Sequence, residues 1–154
     1  MIIVGIDPGA SGAIVLLEDD QPIEWMEMPT MKVGSTTRVN AAALSDFIYQ
    51  CDKHDSKQLI AYVELVHSMP KQGVTSSFNF GHSCGVVEGV LGAFNIPIQL
   101  VTPQKWKKNA GLIGMDKDAS RTKAIQLWPS WRDLDKKGKG QALADAALIA
   151  RYGK

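Results

Sequence analysis

A chain of 154 residues, 45% hydrophobic and 21% charged, fits one globular domain with a sizeable core. No apolar run approaches the roughly 18 residues that a bilayer span needs, and Cys51 and Cys84 are too few for a disulfide framework and lack metal-site spacing. The N-terminus has no basic segment leading into a long apolar one, so the expected setting is a reducing cytoplasm.

The formal net charge of +1 conceals an asymmetry. Residues 1–102 carry five Lys or Arg against eleven acids, whereas residues 103–139 carry ten against four. The basic segment points to a polyanion-facing surface, and equally to a solvated helix face.

In chain order, Ile2, Ile3, Val4 and Ile6 read as a buried strand that ends at Asp7. Pro8-Gly9-Ala10-Ser11-Gly12 is a tight turn into a second strand, Ala13 to Leu17, and Pro22 to Met28 makes a third. Residues 29–39 are polar and read as a loop. Asn40 caps a helix whose Leu44, Phe47, Ile48 and Cys51 fall at i, i+3, i+4 and i+7, ending near Asp52. "QLIAYVEL" (58–65) is a nearly continuous apolar run, as a central strand should be, and it holds Glu64 near its end. A polar loop, 66–77, follows.

The helix expected from Phe78 to Phe94 carries Gly81, Gly85 and Gly89 at i, i+4 and i+8. Glycine weakens a helix, so this stripe implies close packing, against either the chain's own sheet or a second subunit. "IPIQLV" (96–101) reads as a strand. Thr102 caps a helix with Pro103 at its first position, which runs to Gly111. Residues 117–128 form another helix, a polar and basic linker reaches Gly140, and 141–153 make the last helix.

A strand meander followed by alternating strands and helices predicts an α/β fold, with a central mixed five-stranded sheet flanked by helices in one domain, 1–154. Asp7 and Glu64 then fall on strands that can be neighbours. Asp145 is the one acid of the last helix, set among Ala and Leu. A partly buried acid costs free energy unless it is paired, hydrogen-bonded or bound to metal. Each of these three acids has a structural explanation singly. Jointly, a shared divalent cation such as Mg²⁺ is the economical account.

Four ordered segments carry a resemblance: "IVGIDPGASGAIVLL", "AYVELVHSMPKQGVTSSFNFGHSCGVVEGVL", "VTPQKWKKNAGL" and "ALADAALIARYG". Together they resemble the RuvC-type Holliday-junction resolvases of the ribonuclease H-like superfamily, in the form found in bacteriophages and prophages. The resemblance implies a homodimeric endonuclease that cuts four-way DNA junctions and leaves 5′-phosphates. It also implies two Mg²⁺ ions per site, or Mn²⁺ in their place, held by Asp7, Glu64 and Asp145. Fixed negative charge is what such a pair of cations requires. The sequence names no partner helicase and no membrane contact.

The same resemblance puts Lys105, Lys107, Lys108, Lys117, Arg121 and Lys123 on the DNA, with Lys107 and Lys117 nearest the bound strand. Phosphate contacts of this kind carry charge but no sequence information. Phe78 or Phe80 would stack on an unpaired base, although core packing suits either ring equally well. Trp106 reads better as core than as a stacking residue. His67 and His82 read as hydrogen-bonding neighbours of the site. The stripe Gly81, Gly85 and Gly89 would lie at the dimer interface.

One departure bears on catalysis. Members of the family usually carry an Asp or His one turn before the last acid, and here that place is held by Gln141. An amide can bind a metal or orient water, but it is no general base at neutral pH. Asp133 or Asp135 is the available substitute. Two other readings therefore stand beside the resolvase: a junction-binding protein with impaired catalysis, and a ribosomal-RNA-processing nuclease of the same superfamily. A sugar-kinase-like or actin-like ATPase reading of the glycine turn would need a second such domain, for which the chain is too short.

Overall fold

The computed structural model describes residues 1–52 and 58–154. Lys53 and Lys57, counted in the charge above, lie outside them. The first three strands, β1 (Ile2–Ile6), β2 (Ala13–Glu18) and β3 (Gln21–Glu27), form the expected antiparallel meander. Strand β6 (Leu59–Glu64) pairs parallel with β1, and β7 (Ile98–Val101) pairs parallel with β6. The result is a mixed five-stranded sheet in the order β3-β2-β1-β6-β7.

Residues 29–39 are not the loop expected. They contain a separate two-stranded sheet, β4 (Thr30–Val33) with β5 (Thr36–Val39). Only Val39 of the eight strand residues is buried, so the segment lacks the apolar alternation that would have disclosed it.

Strand alternation sends side chains to both faces of the sheet. Ile2, Val4 and Ile6 of β1, Ile14 and Leu16 of β2, and Ala61 and Val63 of β6 build one core. Helices α1 (Ala41–Asp52) and α2 (Val74–Ala93) cover it through Leu44, Ile48, Val87 and Leu91. Ala13, Val15, Leu17 and Tyr62 face the other way. They meet α3 (Pro103–Ala110), α4 (Ala119–Leu127) and α5 (Lys137–Tyr152). No helix is long and apolar enough to cross a membrane among the described residues.

Two helices start earlier than their apolar periodicity indicates. Helix α2 begins at Val74 behind Gly73, which supplies no side-chain cap. Helix α5 begins at Lys137, inside the expected linker, and a short 3₁₀ turn, Arg132–Asp135, precedes it. Gly140 lies against the Leu134 carbonyl, where a Cβ would collide. Glycine at 140 is what lets this basic stretch of helix lie so close to the turn.

Candidate active site

Residues Ile6 and Val63 are register partners in the parallel β1–β6 pair. The next residues, Asp7 and Glu64, therefore emerge side by side at the carboxyl ends of adjacent central strands. Helix α5 crosses the same strand. A Cβ at Gly5 would fall on the Ala146 carbonyl oxygen, so only glycine lets α5 lie this close to β1. The contact carries Asp145, the neighbour of Ala146, to the end of β1. Gly12 does the same for the turn, since a Cβ there would strike the Asp7 carbonyl. The Gly9 N–H donates to Asp7 Oδ1 at 3.3 Å.

The three carboxylates feel one another. Burial is the first cause raising the Asp7 pKa; the Gly9 hydrogen bond lowers it, and the charge of Asp145 raises it further. Glu64 is likewise raised by burial, and then by Asp7 and Asp145. Asp145 is raised by burial, against the lowering effect of Ser120, Gln141 and Lys107. Three acids distant in sequence thus converge on one half-buried centre.

Each acid is also held by a neighbour. Trp106, only 1% exposed, donates its indole N–H to Glu64 Oε1 at 2.8 Å. Gln141 donates through its amide to Asp145 Oδ1 at 3.2 Å and also bonds Ser120. Among the described residues, no three acid, histidine or cysteine side chains stand close enough to grip an ion as they are oriented. The donor chemistry nevertheless fits a hard divalent cation: carboxylate oxygens, mutually repelling and partly dehydrated, with no basic side chain hydrogen-bonded among them. Ligation would require the carboxylates to draw closer together than they stand here.

A cavity of about 380 Å³ opens beside Asp145 and is lined in part by Lys107, Lys117 and Gln141. Lys105 and Lys108 are exposed on α3 with Lys107. Arg121 is placed differently: it pairs with Asp118 at 2.9 Å and donates to the Leu134 carbonyl at 3.1 Å, so its guanidinium pins α4 to the 3₁₀ turn. Lys123 lies over the Tyr152 ring, 5.5 Å from its centroid. Asp133 accepts from the Trp25 indole at 2.8 Å and Asp135 pairs with Arg132 at 2.7 Å. Neither is among the charges acting on the carboxylate trio.

On the other flank, Phe80 packs against the turn, its ring within 3.4 Å of a Cβ built at Gly9. Phe78 is 62% exposed. The Arg38 guanidinium lies 5.9 Å from the Phe78 ring centroid, and its buried Nε has no hydrogen-bond partner among the described residues. Arg38 lies on β5, in the segment expected to be loop. His67 is exposed in a second pocket with Leu65 and Phe80, and His82 has a buried Nδ1 without a partner among the described residues. The Cys84 thiol is pushed up by burial, with Glu88 and Asp7 adding to the effect. Gly81, Gly85 and Gly89 meet nothing within 4 Å where a Cβ would stand. The stripe is not packed against the chain's own sheet.

No protein-family model and no curated protein sequence matches the chain. Among solved structures it is similar to Thermus thermophilus RuvC in complex with Holliday junction substrate, with TM-score 0.62 and 16% identity over 97% of this chain and 90% of that one. A second T. thermophilus RuvC structure gives 0.58 and 15%, over 97% and 91%. The fold is RuvC-like. The mixed five-stranded sheet with flanking helices is the ribonuclease H-like arrangement of those neighbours. In this RuvC-like fold the carboxylate centre sits at the carboxyl end of the two central parallel strands, the usual place for a ligand crevice in an α/β sheet.

Proposed function

We propose that the chain is a metal-dependent endonuclease acting on four-way or otherwise branched DNA. The observation that carries the reading is the convergence of Asp7, Glu64 and Asp145 on one half-buried centre, at the carboxyl ends of β1 and β6 and the middle of α5. Lys107 and Lys117 line the cavity beside that centre, with Lys105 and Lys108 exposed on α3, and such a basic edge suits a phosphate backbone. Likeness to a RuvC solved with a Holliday junction supports the choice of substrate.

Asp7, Glu64 and Asp145 would hold Mg²⁺ or Mn²⁺, two ions in the complete site. Divalent cations supply Lewis-acid stabilisation of the charge that develops on the phosphate and the leaving oxygen. The chain's own part is to fix the acids: β1 and β6 set two of them, the Gly5 contact sets the third, and Trp106 orients Glu64. Lys107 offers charge to the incoming phosphate. The open stripe Gly81, Gly85 and Gly89 fits a second copy, so that two such sites act on paired strands of one junction.

A second reading, a junction-binding protein with impaired catalysis, is favoured by Gln141, whose amide is bonded to Asp145 and cannot serve as a general base. One assay separates the two. The full chain is incubated with a labelled four-way junction, matched duplex or RNA, in Mg²⁺, Mn²⁺ or chelator. Paired nicks that require metal establish the nuclease. Tight junction binding without cleavage in either metal establishes the binding protein, and cleavage confined to RNA refutes both.

A further inference from the structure

Helix α3 ends at Gly111 in the left-handed conformation, φ 71°, and the residues after it fold into a second turn. Leu112 is buried, and its carbonyl accepts from the Met115 N–H at 3.2 Å. Gly114, third residue of that four-residue turn, has φ 76°. A type II turn requires a positive φ at this position, and glycine supplies it without strain. The Leu112 N–H donates to the Lys107 carbonyl at 2.8 Å. On the far side, Asp116 Oδ1 accepts from the Asp118 N–H at 3.0 Å. The connection between α3 and α4 is therefore fixed at both ends. Its tip displays Ile113 and Met115, 58% and 61% exposed.

Both side chains line the cavity that holds Lys107, Lys117, Gln141 and Asp145. An exposed apolar residue by itself needs no explanation. Two of them, presented by a rigid turn at the mouth of a lysine-and-carboxylate cavity, do. Lysines alone satisfy phosphates and report only charge. Apolar side chains gain from surfaces that continuous duplex keeps covered, namely the faces of unstacked bases. Proteins that kink nucleic acid use Ile, Leu and Met in this way. The tip lies between Lys107 and Lys117 in the chain and shares their cavity, so the occupant that its surroundings suit is a polyanionic strand.

We propose that Ile113 and Met115 form a wedge against unstacked bases of the strand entering the carboxylate cavity, and so select branched or distorted DNA over continuous duplex. The inference rests on the nuclease reading and adds to it the substrate feature that is recognised. Because hydrogen bonds already hold the turn's backbone, little backbone entropy is lost when the wedge engages.

The test uses the full chain as wild type and as the double variant Ile113→Ser, Met115→Ser. Both positions are exposed, so an unchanged melting curve is expected to show an intact fold. Each protein is titrated in chelator, over a range of salt, with a four-way junction carrying 2-aminopurine at the crossover and with matched duplex. The wild type should prefer the junction and raise 2-aminopurine fluorescence as the base unstacks. The double variant should lose roughly tenfold in that preference, and lose the fluorescence rise, with its salt dependence unchanged because the lysines remain. Leucine at both positions should restore preference and fluorescence.

A serine variant with the wild-type preference and signal overturns the wedge and leaves the nuclease reading standing. A wild type with no affinity for the junction overturns both. A variant whose oligomeric state changes in the absence of DNA assigns the tip to a protein contact, and overturns the wedge as well.

Discussion

The indole of Trp106 and the carboxylate of Glu64, 42 residues apart, form a 2.8 Å hydrogen bond that ties α3 to the end of β6. The bond lowers the Glu64 pKa against the raising effects of burial, Asp7 and Asp145. It makes Trp106 a positioning residue as well as a core one.

Trp106→Phe keeps most of the ring volume and removes the donor. Glu64 then becomes a weaker acid and stays protonated to higher pH. The acid limb of the metal-dependent cleavage profile should shift to higher pH, with activity at neutral pH reduced. Loss of a hydrogen bond to a charged group costs about 1.5–3 kcal/mol, so a lower melting temperature should accompany the shift. A cleavage profile that coincides with the wild type would show the bond to be structural only.

Asp7→Asn should abolish cleavage and leave junction binding largely intact. It should also stabilise the metal-free protein at neutral pH. The Asp7 pKa is raised on folding, so the folded state binds more protons than the unfolded chain between the two values. Stability therefore falls as pH rises through that window, and the cost persists above it. Asparagine carries no such cost. For a domain of this size each kcal/mol relieved raises the melting temperature by about 2–4 °C. Calorimetry in chelator at acid and neutral pH checks the sign: the difference between variant and wild type should be larger at neutral pH.

Lys107 lies at the cavity mouth, its Nζ 5.3 Å from the Trp106 ring centroid. Its charge lowers the pKa of both Glu64 and Asp145. Lys107→Glu should weaken junction binding and flatten the salt dependence by about one unit of slope or more. Fluorescence titrations at several salt concentrations measure it, and an unchanged slope removes Lys107 from the interface.

Gly85 sits mid-stripe on α2 with nothing within 4 Å of a built Cβ. Gly85→Leu should therefore leave the monomer's fold and melting temperature little changed while disrupting self-association. Sedimentation of both proteins at matched concentration decides it. A variant that still dimerises puts the second copy on another face.

Legibility in the sequence followed burial. Strands β1, β2 and β6 were readable because their faces are apolar, and the acids at the ends of β1 and β6 stood out against them. The hairpin β4–β5 was not, because an exposed two-stranded ribbon has no buried face to impose alternation. The first turn of α5 combines Lys137, Lys139, Gly138 and Gly140, a composition that reads as linker; in the structure it is helix, with Gly140 close against the Leu134 carbonyl. The acids of the site were visible one by one, but their orienting partners were not. A bond such as Trp106–Glu64 joins residues in different elements and leaves no periodic trace. Gln141 with Asp145 is the exception, since a spacing of four on a helix places both on one face.

That pair also makes the sharpest test of catalytic competence. The Gln141 amide donates to Asp145 Oδ1 and is itself bonded to Ser120, so it restrains the Asp145 carboxylate. Gln141→Asp replaces a donor with an acceptor. It removes that restraint and adds a fourth carboxylate to a centre where burial already raises the pKa of three, with like charge adding to the effect at Asp7 and Glu64. In chelator the variant should melt lower than the wild type, because the added charge lacks a counter-ion. Mg²⁺ should raise its melting temperature more than it raises that of the wild type, since ligands bound only to the folded state stabilise it by mass action. Cleavage of the four-way junction should become faster, by about tenfold or more if the new carboxylate acts as a general base. Equal Mg²⁺ responses in the two proteins, with no gain in cleavage, would place residue 141 outside the metal-binding set and leave Ser120 and Gln141 as a support for Asp145 alone.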